Sequence, residues 1–272
     1  HYILETIVKW YYLCAINFVR GRFNYMSVLI EVDKLTKSFG PFIAVDNISF
    51  SLNRGEVLGF LGPNGAGKTT TMRMITGFLS PTEGTIKVCN NDVAKYPLQI
   101  KEKIGYVPEG APLYGEMTVL NFLKFIADVR KIPSSKLDMA IENAVKKLGL
   151  ELVLYQQLET LSKGYKRRVG LSQAIIHDPD ILILDEPTDG LDPNQKHEVR
   201  KLIKEMASTK AIIISTHILE EVDAVCTRAM IIAQGRMIID KSPKELLKGS
   251  PKGSTLDDVF RTLTIGNPGE IK

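Results

Sequence analysis

Cysteine is scarce in the 272-residue sequence and unsuited to pairing. Cys14, Cys89 and Cys226 are odd in number and nowhere form a C-x-x-C spacing. They supply neither a disulfide framework nor a thiolate metal site, a usage that fits a reducing compartment. The four histidines are equally scattered. No run approaches the ~20 consecutive apolar residues that a membrane-spanning helix needs. A strong excess of one charge sign is also missing. The formal net charge is +4, and half of it comes from residues 1–25, where Lys9, Arg20 and Arg22 outweigh Glu5. That balance is too weak to point to nucleic acid as a partner. What remains, 44% hydrophobic and 24% charged, is an ordinary globular composition, long enough for one large domain or two small ones.

Against that plain background one stretch stands out, Gly62-Pro63-Asn64-Gly65-Ala66-Gly67-Lys68-Thr69, a G-x-x-x-x-G-K-[ST] phosphate loop. Glycine is needed where the backbone turns tightly and no Cβ can stand between its N–H groups and a phosphate. Those N–H groups form an anion nest that the N-terminus of the following helix extends. Lys68 is expected to reach the β- and γ-phosphates, and the Thr69 hydroxyl to ligate Mg²⁺. These eight residues, with Thr70 after them, are the first candidate nucleotide-binding group. The flanks agree: Glu56 to Leu61 reads as a buried strand entering the loop and Thr69 to Thr76 as a helix leaving it.

Residues 1–25 look foreign to the rest. Trp10 to Val19 is apolar but too short to span a bilayer, and no small-residue cleavage site follows it. The expectation is that Met26 is the true start and residues 1–25 an over-extended reading frame. The alternative is an amphipathic segment lying on a membrane. From Val28 to Phe39 apolar and polar residues alternate, with Leu29, Glu31 and Asp33 on one side and Ile30, Val32 and Leu35 leading the other, as in a half-exposed strand. Ala44 to Leu52 is a second strand, so an antiparallel layer precedes the phosphate loop. Further strands are expected at 85–88, 104–107, 181–184, 211–214, 229–233 and 236–239. Helices are expected at 194–206, opened by Pro193, and at 218–226. Residues 115–160 change character. Val119, Phe122, Leu123, Ile126 and Val129 fall at helical spacing, and Ser134 or Ser135 is placed to cap a second helix that ends at Gly149. The expected fold class is therefore α/β, with a mostly parallel sheet, an N-terminal antiparallel β-layer and an inserted helical subdomain. The tail from Ser242 is expected to hold one helix, from Thr255 to Leu263.

A second motif lies half a chain beyond the first. Ile181-Leu-Ile-Leu184 runs into Asp185-Glu186. An apolar strand ending in a carboxylate is the usual partner of a phosphate loop in ATPases, where it holds the Mg²⁺ shell. Strand side chains alternate, so Glu186 points elsewhere than Asp185 and is placed to activate water.

Between the two motifs stands Leu161-Ser-Lys-Gly-Tyr-Lys-Arg-Arg168. With the phosphate loop, this sequence resembles the ATP-binding cassette (ABC) family of transport ATPases from Val28 to Asp240. The family's signature is Leu-Ser-Gly-Gly-Gln, and the resemblance implies a P-loop NTPase, RecA-like core. It implies that Ser162 and Gly164 cap the γ-phosphate of ATP held by an opposite protomer, so that two cassettes sandwich two nucleotides. Lys163 and Tyr165 depart from the signature. By the same resemblance, Phe39 stacks on adenine. Glu109 stands where most members have a Gln that senses Mg²⁺. Asp192 ends the loop that crosses to the other protomer, with Asp189 in place of the more usual Ser. His217 is the switch histidine at the γ-phosphate. Catalysis then rests on Glu186, His217 and Lys68, and Mg²⁺ on Thr69, Asp185 and Glu109, with ATP as the nucleotide.

The domains expected are an ABC ATPase at 26–240, with its helical subdomain at about 115–160, and a short tail at 241–272. Leu256 to Thr264, Ile104 to Tyr114 and the altered signature are most similar to bacterial export ATPases of the multidrug, gliding-motility-associated and copper-processing branch. That similarity implies a peripheral protein on the cytoplasmic face of the inner membrane, working as a homodimer with a separately encoded integral membrane permease. The competing readings are a soluble ABC ATPase acting on ribosomes or DNA and a non-hydrolysing cassette. The first usually carries two cassettes or a coiled-coil insertion, and the second does not need Lys68, Asp185, Glu186 and His217 together.

Overall fold

The alternation in the first segment produces a strand with one break in its parity. In the computed structural model, which describes residues 28–110, 113–248 and 255–265, β1 (Val28–Phe39) buries Ile30, Val32 and Leu35 and exposes Glu31 and Asp33. Val32 and Leu35 differ in parity, and they share a face because Lys34, at φ +49°, shifts the register between them. Leu29, expected on the outer side with Glu31, is buried as well and belongs to the core under this sheet. β2 (Phe42–Asn53), β4 (Glu83–Val88) and β5 (Asn91–Asp92) complete a four-stranded antiparallel sheet in the order β2-β1-β4-β5. The expectations for residues 1–25 and for Met26 lie outside the described residues.

The second sheet is the scaffold of the site. It joins β3 (Val57–Leu61), β6 (Ile104–Val107), β7 (Ile181–Asp185), β8 (Ala211–Thr216), β9 (Arg228–Ala233) and β10 (Arg236–Lys241) in the order β10-β9-β3-β8-β7-β6. All neighbours are parallel except the β9–β10 hairpin. Every residue of β3, β7 and β8 is buried, as parallel strands covered on both faces require. In β7, Ile181 and Ile183 join the core shared with the antiparallel sheet, while Leu182 and Leu184 join the core on the helical side. The register brings the strand ends level: Leu61 pairs with Thr216, Asp185 with Ser215 and Val107 with Leu184. Whatever follows β3, β6, β7 and β8 therefore emerges along one edge.

Among the described residues the helices are α1 (Lys68–Ile75), α2 (Pro97–Lys103), α3 (Val119–Val129), α4 (Ser134–Leu148), α5 (Lys163–Ile175), α6 (Pro193–Ala207), α7 (Leu219–Val225), α8 (Pro243–Lys248) and α9 (Leu256–Ile265). In α3 the Thr118 hydroxyl accepts the Asn121 N–H at 3.2 Å and caps the helix. Its buried face is Val119, Phe122, Leu123 and Ala127, whereas Val129, at the last residue, is exposed. Neither serine caps α4. Ser134 is already its first helical residue, and Pro133 occupies the cap position without a side-chain bond. Gly149 ends it in the left-handed conformation, as expected.

The described residues of the tail form two helices where one was expected. The extra one, α8, starts at a capping box: the Ser242 hydroxyl accepts the Glu245 N–H at 3.3 Å and Glu245 Oε2 accepts the Ser242 N–H at 3.0 Å. Thr255 and Asp258 repeat the device at α9, which seats Leu256, Val259, Phe260 and Leu263 against Val222 and Leu246.

Candidate active site

The loop between β3 and α1 closes around its own lysine. Lys68 is buried, and its ammonium donates to the carbonyls of Gly62 at 2.6 Å and Pro63 at 3.1 Å. Burial lowers its proton affinity below the ordinary lysine value, against the pull of Glu186, Asp185 and Glu109. Gly67 sits at φ +103°, and a Cβ there would stand 2.5 Å from the Ala44 carbonyl oxygen. Only glycine lets the loop pass that close to β2 before the helix begins.

At the ends of β7 and β8 lie the charged groups. The Thr69 hydroxyl donates to Asp185 Oδ2 at 3.0 Å, and the Ser215 hydroxyl donates to Asp185 Oδ1. The Glu186 N–H is held by the Ser215 carbonyl and hydroxyl, each at 3.2 Å. Glu186 itself adopts φ +49°, a conformation that costs a non-glycine residue about 1–3 kcal/mol. Its carboxylate meets His217, whereas that of Asp185 is held by the Thr69 and Ser215 hydroxyls. His217 Nδ1 lies 3.1 Å from both Glu186 carboxylate oxygens. With Glu186 ionised, Nδ1–H is the donor and Nε2 is left for another partner. Burial pushes the Glu186 carboxyl above the usual carboxylate range, while His217 and Lys68 pull it back.

These groups line one open cleft of about 440 Å³, bounded by Phe39, Phe42, Ala44, Asn64 to Thr70, Glu109, Asp185, Glu186, Asp189 and His217. Phe39 is 50% exposed, with the Lys37 ammonium 5.2 Å from its ring centre. An exposed aromatic ring, the phosphate loop with its lysine, and a carboxylate–imidazole pair lining one cleft suit a nucleoside triphosphate and an attacking water. The hydroxyl of Thr69 and the carboxylates of Asp185 and Glu109 are hard oxygen donors without thiol or imidazole among them. Their chemistry fits Mg²⁺, which takes one or two protein oxygens and completes its shell with phosphate oxygens and water.

Not every residue singled out in the sequence reaches this cleft. Gly62 and Pro63 contribute carbonyls to Lys68 instead of lining it. Ser162, Gly164 and Asp192 lie apart, on the start of α5 and α6. Ser162 caps α5 by accepting the Tyr165 N–H at 3.3 Å, and Asp192 caps α6 by accepting the Gln195 N–H at 2.9 Å. A Cβ on Gly164 would collide with the Gln195 side-chain amide, so the two helix starts adjoin.

Sequence reasoning passed over several residues that the fold brings in. Phe42, a second aromatic at the cleft rim, is 61% exposed, and its signal was its place three residues after Phe39. Arg167 reaches from α5 to donate to the carbonyls of Asp185 at 3.0 Å and Pro187 at 3.1 Å, flanking Glu186. Carbonyl partners leave no mark in a sequence, so nothing there announced this contact.

Comparison with known proteins gives one family. The profile of the ABC transporter family matches residues 45–189. A Nod factor export ATP-binding protein I from Paraburkholderia xenovorans is 35% identical over 232 residues, which are 85% of this chain and 76% of that protein. The solved structure of an ATP-binding subunit of an ABC transporter superposes with a TM-score of 0.80 at 28% identity, covering 86% of this chain and 99% of the other. The structure of cbiO1 from Clostridium perfringens, described as part of the ABC transporter complex cbiONQ, gives a TM-score of 0.73 at 32% identity, covering 81% of this chain and 91% of the other.

Proposed function

We propose, from the premise that the chain belongs to the ABC transporter family as an ATP-binding and ATP-hydrolysing subunit, that it energises an exporter by closing on ATP with a second copy of itself. The observation that carries the chemical part is the Glu186–His217 pair, at 3.1 Å, facing the phosphate loop along the level edge of the parallel sheet. Glu186 orients a water and takes its proton as the water attacks the γ-phosphorus in line. Its raised proton affinity suits a base that must ionise at neutral pH and still accept a proton. His217 fixes the carboxylate by Nδ1 and presents Nε2 towards the phosphoryl oxygens. Lys68 leaves the Gly62 and Pro63 carbonyls for the phosphates, and with the loop N–H groups it stabilises the charge that spreads over the transferred group. Thr69, Asp185 and Glu109 would hold Mg²⁺, which supplies charge neutralisation on the phosphate oxygens. Phe39 stacks on the base.

The domain reading is an ATPase unit over 26–240, with residues 115–160 as an inserted helical subdomain. Ser162, Gly164 and Asp192 stand outside this chain's own cleft, which supports their acting on the nucleotide of the partner copy. ATP bridging two copies favours the closed pair, and hydrolysis removes that bias. The permease is a separate polytopic chain. Among the described residues no helix is long and apolar enough to cross a membrane. The exposed Tyr114, stacked edge-on against Phe125 at 5.5 Å just beyond Glu109, offers a docking face for it. The name of the Nod factor export relative supports export, and attachment to the permease makes the protein peripheral on the cytoplasmic face of the inner membrane.

Light scattering on the Glu186→Gln protein tests the assembly. MgATP should convert monomer to dimer. A persistent monomer that still binds ATP would refute a homodimeric engine.

A further inference from the structure

Two carboxylates are almost fully buried among the described residues, Asp185 at 1% and Glu221 at 2% exposure. Asp185 belongs to the cleft, and Glu221 does not. A buried carboxylate is costly unless its oxygens are satisfied. Those of Glu221 are taken by two hydroxyls from different segments. Oε1 accepts from Thr188, and Oε2 accepts from Thr216 at 2.9 Å. Thr188 lies two residues past Glu186, and Thr216 immediately precedes His217. The Thr216 hydroxyl oxygen also accepts the Ile218 N–H at 3.0 Å, so the peptides on both sides of His217 are tied to the same point. Glu221 is itself fixed at the start of α7, where its N–H donates to the Ile218 carbonyl at 3.1 Å. The cavity beside these groups, lined also by Arg200 and Cys226, measures about 10 Å³ and leaves no room for the carboxylate to swing away.

We propose that Glu221 is a positioning residue for hydrolysis: its two oxygens set the spacing between the peptide that carries Glu186 and the peptide that carries His217. The inference rests on the roles given above to those two residues. Each oxygen holds one segment, so the length of the Glu221 side chain gauges the gap across which carboxylate and imidazole meet. Losing one tie lets one partner drift without removing any group that touches nucleotide.

The test is steady-state phosphate release by the full chain with MgATP, alongside nucleotide affinity and thermal midpoint. Glu221→Asp keeps the charge but is one methylene too short to reach both hydroxyls, and Glu221→Ala removes both ties. Each should lower kcat about ten- to a hundredfold, as misplacement on the order of 1 Å does, with KM and nucleotide Kd unchanged. Glu221→Gln keeps length and bonding capacity and should restore kcat to within about threefold of wild type. Thr188→Val should reproduce part of the loss, and Glu221→Ala added to it should cost less than it does alone.

Wild-type kcat in Glu221→Asp, or additive losses with Thr188→Val, would overturn the inference. If the Glu221 variants do not fold, Thr188→Val and Thr216→Val decide, and full kcat in both overturns it. The underlying reading fails separately, if Glu186→Gln releases phosphate as fast as the unaltered protein.

Discussion

Replacing Glu186 by Gln should make the protein a poorer enzyme and a more stable one. Loss of a general base lowers turnover about 10²- to 10⁴-fold, which is about 2.7–5.4 kcal/mol of barrier. Stability moves the other way because burial is the largest influence on the Glu186 carboxyl and raises its proton affinity above the unfolded value. A carboxyl raised in this way adds stability below its unfolded pKa, and that stability is lost as pH rises through the folded value. At neutral pH the ionised side chain therefore costs folding free energy, and the neutral amide does not. Gln can still accept the His217 Nδ1–H, so the pair keeps one hydrogen bond. The expected outcome is a higher unfolding midpoint for the variant at neutral pH. Thermal unfolding without nucleotide, over a pH series, reads it directly. The gap between variant and wild type should close on acidification, as the wild-type carboxyl takes up its proton. It should widen in a His217→Ala background, where the favourable partner is gone. A variant that melts lower at neutral pH, or a gap that grows as pH falls, would show that the pairing with His217 and not burial governs this carboxylate.

Gly67→Ala forces a Cβ against the Ala44 carbonyl oxygen at φ +103°. It should abolish ATP binding in equilibrium dialysis and cost about 1–3 kcal/mol in thermal unfolding. Arg167→Met strips the donor from the Asp185 and Pro187 carbonyls. It should lower stability by about 1–3 kcal/mol, with Arg167→Lys recovering part of the loss. His177 is held neutral because burial, with Arg130 nearby, lowers it from 6.5 to about 4, and its Nε2–H donates to the Ile104 carbonyl at 3.3 Å. Its contribution is complete above the unfolded value and is lost as pH falls through the window between 6.5 and about 4. His177→Gln should flatten the fall in unfolding free energy between about pH 7.5 and about pH 5, by up to roughly 2 kcal/mol.

Local signals carried the fold a long way, and their failures share a cause. Continuous apolar runs marked β7 and β8 as buried parallel strands, because a strand covered on both faces has no polar side to show. The apolar run alone ends β8 at Ile214, where hydroxyls begin. Yet Ser215 and Thr216 continue the strand fully buried, each donating to a carboxylate from elsewhere in the chain. A buried hydroxyl is ordinary once satisfied, but its partner lies about thirty residues away in one case and five in the other, and neither spacing is a pattern. Likewise Leu29, which alternation sets with Glu31 and Asp33 on the outer side, is buried in the core under the sheet. By contrast the box Ser242-Pro243-Lys244-Glu245 was a complete helix-start signal, so the missing helix was legible and went unread. The phosphate loop was legible because its chemistry is local. Arg167 and Glu221 were not, because one binds carbonyls and the other binds two threonines whose neighbours alone give them meaning.

The signature residues pose the opposite problem, a motif visible in sequence with nothing to do in its own cleft. Gly164→Ala separates the two explanations. Gly164 opens α5 in a helical turn, where alanine is favoured over glycine by roughly 0.5–1 kcal/mol. The atoms nearest to its Cβ belong to the end of the Gln195 side chain, which is flexible and can turn aside. If Gly164 is there for this chain's own packing, the displaced Gln195 should cost stability that the helix gain does not offset. If it is there to let a partner's phosphate approach the start of α5, the midpoint should hold or rise while the added methyl blocks that approach. Light scattering in the Glu186→Gln background should then show ATP bound and no dimer. A dimer that forms with unchanged ATP dependence would remove Gly164 from the composite site and leave the start of α5 as packing between two helices.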